Sequence, residues 1–348
     1  MQQTVAAAEF LAACALSRVD AVGGFARDGL LSSQEVFTQQ LVTGLSNGMI
    51  IALIAIGYTM VYGIIELINF AHGDLCMLGA YFALTVVGAL GVDQWAGTGG
   101  IMGLVLVLVG TAAFCGSLNW SLNRLAYRPL RKASKLSLLV SAIGASFILV
   151  NLGLFWGGLP MDVFADGTSS AAPKAFPALV SAAPAAQIGD VIYSRTDLLV
   201  LCVTLPLMVA LTYLVRFTKL GKAMRAVAQN PTGASLMGID VERVIGASFF
   251  IGGSLGGFAT VVYSLYNQTV SFQMGYRMGM DAFIAAVLGG IGNLPGAVLG
   301  GILIGVIRSM SDGYLEARWT NTVVFGILIL ILVFRPSGLL GAKLREKV

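Results

Sequence analysis

Apolar residues in this chain are gathered into long runs separated by short polar breaks, instead of alternating in period two. Runs of about 20 residues are long enough to cross a hydrocarbon core of ~30 Å as helices. They cover Leu41 to Gly63, Gly99 to Leu122, Ser137 to Trp156, Asp197 to Val215, Val244 to Leu265 and Asn321 to Phe334. A further run follows Glu66 and reaches Leu90, but it opens on the polar sequence Asn69-Phe70-Ala71-His72-Gly73-Asp74. Such an opening does not suit a lipid-facing helix. The run from Asp281 to Met310 is too long for one ordinary span and is interrupted at Gly289-Gly290-Ile291-Gly292-Asn293-Leu294-Pro295-Gly296. Glycines and a proline there predict two half-helices or a re-entrant hairpin. The pattern therefore predicts an all-α, polytopic membrane helix bundle. It has about eight spans, counting a broken or re-entrant helix pair near 281–310.

Composition supports the same solvent. The chain is 57% hydrophobic and 11% charged, against about 25% charged residues in soluble domains, and its mean hydropathy is +0.85. A soluble fold is excluded. The 44 glycines lie largely inside the apolar runs, where small residues let helices approach closely. Gly44 and Gly48 form one such pair. Gly252, Gly253, Gly256 and Gly257, and later Gly292, Gly296 and Gly300, recur at four-residue spacing and are expected to line one helix face. Cys14, Cys76, Cys115 and Cys202 are scattered singly, so neither a disulfide framework nor a metal site is expected.

Charge sets the topology. The net charge is +4, but the basic residues cluster in short loops and not along a face with interleaved aromatics, so nucleic acid is not an expected partner. Arg124, Arg128, Arg131, Lys132 and Lys135 form one cluster; Arg216, Lys219, Lys222, Arg225 and Arg243 form a second; Arg335, Lys343, Arg345 and Lys347 mark the tail. Basic loops face the cytoplasm. This places residues 157–196 in an external loop, 216–243 in a cytoplasmic coupling loop and 342–348 in a cytoplasmic tail, with the N-terminus outside. Residues 1–36 carry too many charges for a span and read as a flexible or interfacial leader. Leu11-Ala12-Ala13-Cys14 resembles a lipoprotein cleavage box, but no basic residue precedes it. The membrane domain is expected over 37–341.

Candidate chemistry is sparse. A phosphate-cradling GxxxxGK[ST] sequence is absent, since Gly221-Lys222 is followed by Ala223. With one histidine and no clustered ligands, neither nucleophilic nor metal catalysis is expected, and the chain reads as a non-enzyme that binds no cofactor. Glu66, His72, Asp74 and Asp281 lie in or beside apolar runs, where ionisable groups mark a pathway, an interface or a helix cap. The pathway or broken-helix candidates are Asn69, His72, Gly73, Asp74, Gly289, Gly290, Gly292, Asn293, Pro295 and Gly296. The stretch from Gly221 to Asp240 is rich in small residues and suits docking of a short helix on a partner protein. Its candidate contacts are Arg225, Ala228, Gln229, Asn230, Gly233, Ala234, Leu236, Gly238 and Ile239.

Three blocks carry a family resemblance. They are Ala55-Ile56-Gly57-Tyr58-Thr59-Met60-Val61-Tyr62-Gly63 with Ile68-Asn69-Phe70-Ala71-His72-Gly73, Ala126-Tyr127-Arg128-Pro129-Leu130-Arg131, and Ala285-Ala286-Val287-Leu288-Gly289-Gly290-Ile291-Gly292 with Pro295-Gly296. Over roughly Leu41 to Gly341 the chain resembles the first of the two permease subunits of branched-chain amino acid ABC importers. That resemblance implies an inner-membrane assembly with a second, homologous permease, two cytoplasmic ATPases that bind the ATP, and a periplasmic substrate-binding protein. The delivered substrate would be leucine, isoleucine or valine, and Gly221 to Asp240 would be the segment that sits on the ATPase. Two departures stand out. Gln229 or Asn230 occupies the place of an acidic residue common near the coupling motif, and the leader is longer than the family needs. A sister ABC system for urea or short amides, an ion-coupled secondary transporter acting through Glu66, Asp74 or Asp281, and a passive channel are the alternatives.

Overall fold

The computed structural model describes residues 33–341 except 66–68, 93–97, 132, 162–163, 165–168, 181–183, 189–190, 316 and 336. Most of the expected leader, residues 342–348 of the tail, and Glu66 and Lys132 lie outside the described residues.

The chain folds into α1 (Ser33–Ile65), α2 (Ala71–Leu90), α3 (Thr98–Leu122), α4 (Lys135–Gly157) and α5 (Arg195–Phe217). Two short helices follow, α6 (Lys219–Gln229) and α7 (Pro231–Leu236), then α8 (Val241–Asn267), α9 (Met274–Gly289), α10 (Leu294–Tyr314) and α11 (Ala317–Phe334). Eight of these helices are long and apolar enough to cross a membrane. The short α9 is additional to them. Helix α1 is already formed at Ser33, the first described residue and two turns before the first apolar run was expected to begin, and α3 continues through a π-helical turn (Asn123–Tyr127) into Arg128–Leu130.

Sequence at the helix starts explains most boundaries. Ser134, Thr218, Asn230, Asp240 and Asn293 each accept from a backbone N–H in the first turn of α4, α6, α7, α8 and α10. Ser194 and Asp197 form a capping box on α5. Among the described starts of the labelled helices, two have no side-chain cap: α2, preceded by Phe70, and α9, preceded by Gln273. The expectation that His72 or Asp74 caps a helix therefore fails, because neither side chain reaches the free amides of α2.

Glycine contacts show where those two uncapped helices begin. Helix α8 has 27 residues, about 40 Å at 1.5 Å per residue, and Gly252 and Gly256 sit at its middle. A Cβ on Gly256 would lie 2.8 Å from Cys76 Sγ and 3.5 Å from the His72 ring. A Cβ on Gly57 would lie 2.7 Å from the Gly252 carbonyl and 3.3 Å from the same ring. So α2 starts halfway along α8, inside the bundle. Helix α9 starts beside it, because a Cβ on Gly73 would lie 2.7 Å from Gly279 Cα.

The α8 glycines do not share one face. Gly252 and Gly256 meet α1 and α2, whereas Cβ atoms on Gly253 and Gly257 would lie 2.6 Å and 2.7 Å from the carbonyls of Cys115 and Thr111 on α3. Adjacent residues differ by about 100° around a helix, so the four residues serve two neighbouring helices. Gly44 and Gly48 pack on Val306 and Ile302, joining α1 to α10. Each contact brings backbones closer than any larger residue allows.

The two ends of the bundle differ. One carries the loop after α3 together with α6 and α7, and is the basic end. At the other end the expected loop 157–196 holds strands β1 (Lys174–Ala175), β2 (Pro184–Ile188) and β3 (Val191–Ser194). Strands β2 and β3 form an antiparallel hairpin, and β1 pairs antiparallel with β4 (Thr269–Val270), with Lys174 opposite Val270. Gln39, near the start of α1, exchanges two hydrogen bonds with the backbone of Ile192. The beginning of α1 and this loop therefore share one end.

Candidate functional site

The interior start of α2 is held by a polar network across three helices. The Tyr127 hydroxyl donates to Asn69 Oδ1 at 2.7 Å, Asn69 Nδ2 donates to Asn119 Oδ1 at 3.4 Å, and Asn119 Nδ2 donates to the Phe249 carbonyl at 2.7 Å. The π-helical turn at the end of α3 aims Tyr127 inward. His72 is buried, with its ring edge-on to Tyr58 at 5.4 Å between centroids. Two residues on, Asp74 is also buried and accepts from the Ser146 hydroxyl of α4.

Asp74 reaches a cavity of about 490 Å³ that also takes in Gln273, Tyr276, Arg277 and Asp281 of α9 and its approach, Arg308 of α10 and Asn321 of α11. Arg308 binds Asp281 at 2.5 Å and Asn321 at 3.0 Å. Asp281 is 7% exposed. It is therefore an interior group and not an interface residue. The apolar part of the wall comes from Val150, Phe272, Met280 and Phe325. Sequence reasoning missed Ser146, Arg277 and Arg308. The signal for Arg308 was present: an arginine inside an apolar run needs a partner, and Asp281 is an acid inside the same run.

The second expected set, Gly289 to Gly296, lies elsewhere. Gly292 faces Gly63 near the end of α1, and the crevice between them also takes in Met224 and Arg225 of α6. This is the basic end. Gly290 and Gly292 have φ of +105° and +89°, a backbone region that glycine alone enters freely, and the turn ends α9. Gly289 and Gly296 touch backbone to backbone, so the hairpin closes tightly. Pro295 falls in the first turn of α10, where its missing N–H is not needed. Asn293 caps α10 and donates to the Leu340 carbonyl at 2.6 Å. The Leu339 and Leu340 amides donate to the carbonyls of Leu288 and Gly289. The two expected pathway sets are thus separate, and α9, 16 residues long, runs from one to the other over about 24 Å.

The expected coupling residues divide into framework and surface. Gly221, Met224 and Val227 bury one face of α6, and Arg225 donates to the carbonyls of Val215 and Arg216. Asn230 Oδ1 accepts from the Gly233 amide at 2.9 Å, Ala234 is buried, and the Ile239 amide donates to the Ala234 carbonyl. Gly238 turns the chain with φ of +83°. These residues shape the loop. Ala228 and Gln229 are exposed, and Leu236 and Met237 are each 83% exposed, forming an apolar tip. Met237 was not among the expected contacts. Glu242 binds Arg128 at 3.1 Å and Arg131 at 2.8 Å, which ties the two basic loops together. Among the described residues no group of three or more metal-ligating side chains occurs.

The family described as "Branched-chain amino acid transport system / permease component" matches residues 40–333. The chain is 37% identical to the high-affinity branched-chain amino acid transport system permease protein LivH of Escherichia coli K12, over 90% of this chain and 98% of that protein. It is 39% identical to BraD of Pseudomonas aeruginosa, described in the same words, over the same shares. A shorter likeness, 29% identical over 36% of this chain, is to the probable branched-chain amino acid transport permease protein LivM of Methanocaldococcus jannaschii. No solved structure matches. Family match and near full-length relatives agree with the bundle described above: the chain belongs to the permease components of branched-chain amino acid transport systems.

Proposed function

We propose that this chain is the membrane-spanning permease of a binding-protein-dependent ABC importer that carries leucine, isoleucine and valine across the inner membrane. The substrate rests on the likeness to LivH and BraD, both high-affinity branched-chain amino acid transport permeases. The coupled mechanism rests chiefly on one observation, the apolar tip of Leu236 and Met237 at the basic end. Two apolar side chains on a rigidly capped loop serve no purpose within this chain. They fit a groove on a cytoplasmic ATPase, which binds the ATP; this chain is a transport subunit and not an enzyme.

The likeness to LivM supports a second, homologous permease beside this one. Basic loops on the cytoplasmic side put the start of α1 and the strand-bearing loop outside, where a periplasmic binding protein delivers substrate. Inside the bundle, α6 lies against the Gly289–Gly296 hairpin, and α9 leads from that hairpin to Asp74. Movement of the docking loop on ATP binding therefore has a rigid path to the middle of the membrane.

Uptake of radiolabelled leucine tests this function, in cells lacking the gene and in cells with it restored, with urea and a short amide in parallel. Loss and recovery of leucine uptake is the expected result. Unchanged leucine uptake, with loss of urea or amide uptake, would overturn the substrate and leave the permease.

A further inference from the structure

We infer that the cavity between α2, α9 and α10 is a transport-pathway site for the zwitterionic head of an α-amino acid, with Asp74 facing the ammonium and Arg277 the carboxylate. The inference deepens the functional reading above and rests on it.

Charge balance in the cavity points to a zwitterion. Two carboxylates, Asp74 and Asp281, and two guanidiniums, Arg277 and Arg308, line it. A purely cationic or anionic guest would leave one sign unmatched. Asp281 and Arg308 already neutralise each other. Asp74 is different. It is 4% exposed and its hydrogen-bond donor is the neutral Ser146 hydroxyl; among the described residues no basic side chain forms an ion pair with it. A buried carboxylate without a cation is costly, so an arriving ammonium gains more there than anywhere else in the wall.

The other pole is equally available. Arg277 is exposed and bonds Tyr263, which leaves most of the five guanidinium donors for a carboxylate. It stands in the first turn of α9, where the positive end of the helix dipole adds to the pull on a carboxylate. Val150, Phe272, Met280 and Phe325 leave an apolar wall for an aliphatic side chain. A volume of about 490 Å³ falls within the usual range of small-molecule sites. The open side, at Tyr276 and Asn321, is where substrate enters and leaves.

The test uses the assembled transporter, with its partner subunits, in membrane vesicles. Cys14, Cys76, Cys115 and Cys202 are replaced by serine, and Val150→Cys reports on the cavity through its rate of modification by a charged thiol reagent. Leucine is expected to slow that rate about tenfold at saturation, while 3-methylbutylamine and 4-methylpentanoate at equal concentration slow it by less than about twofold. Asp74→Asn and Arg277→Gln should each abolish protection by leucine, and Arg277→Lys should keep most of it. Vesicles that take up leucine but show no protection, or equal protection by all three compounds, would overturn the site alone. Vesicles that take up no leucine would instead overturn the substrate assignment.

Discussion

Breaking the Asp281–Arg308 pair should expose how heavily the α9–α10 hairpin depends on it. The two side chains are 9% and 19% exposed and meet at 2.5 Å, so solvent screening is weak. Removing one member of such a pair costs about 3–5 kcal/mol, most of it the penalty of stranding the other charge. Arg308 retains Asn321 as an acceptor when Asp281 is neutralised, which puts Asp281→Asn near the lower figure. Asp281 loses its ion-pair partner in Arg308→Gln and should approach the upper one. Changing both residues strands neither charge and leaves a neutral hydrogen bond worth about 1 kcal/mol. The double variant should therefore cost less than about 3 kcal/mol and be more stable than either single one, so that against single losses adding to about 8 kcal/mol the coupling exceeds about 5 kcal/mol. Titrating the purified protein in mixed micelles with a denaturing detergent, and following the folded fraction by proteolysis, measures all four forms. Additive losses, with the double variant the least stable, would refute this reasoning.

Two further tests concern packing and docking. A Cβ on Gly257 would lie 2.7 Å from the Thr111 carbonyl and from Ala112 Cα, whereas nothing lies within 4 Å of one on Gly144; Gly257→Ala should cost about 1–3 kcal/mol as overpacking and lower the melting temperature in detergent, while Gly144→Ala leaves it nearly unchanged. Leu236→Asp with Met237→Asp should reduce leucine uptake at least about tenfold, because an apolar tip seated in a partner groove cannot carry two charges. The amount of protein in the membrane should stay the same, since both side chains are exposed and touch little within the chain.

The spans were legible because the bilayer imposes length and hydrophobicity directly on sequence. The hairpin at Gly289 to Gly296 was legible too, since proline and positive-φ glycines stop helices for local reasons. The depth at which α2 and α9 start was not legible. It depends on Gly57, Gly73, Gly252 and Gly279 letting distant backbones meet, and no local signal pairs them. The apolar run was read from Asp281; the structure carries the helix back to Met274, through residues whose polarity hides them from a hydropathy pattern. Four-residue spacing among glycines was read as one face, yet Gly252 and Gly253 are adjacent and must point to different neighbours. In the loop expected to couple, sequence marked short helical pieces but not which of their residues are buried and which exposed. Ala234 and the capping side chain of Asn230 build the loop, and Leu236 and Met237 present its large apolar surface, a distinction that burial reveals.

Residues 337–341 have a consequence for biosynthesis. The carbonyls of Leu288 and Gly289 at the end of α9, and the Nδ2 group of Asn293, take their partners from Leu339 and Leu340. Those partners are translated 47 to 51 residues later, after α10 and α11. A nascent chain can thus insert every span while the end of α9 remains unlatched. The hairpin can acquire this fastening only after Leu339 and Leu340 have left the ribosome, so the fastening forms later than α9 and α10 themselves and is local to the basic end of the bundle.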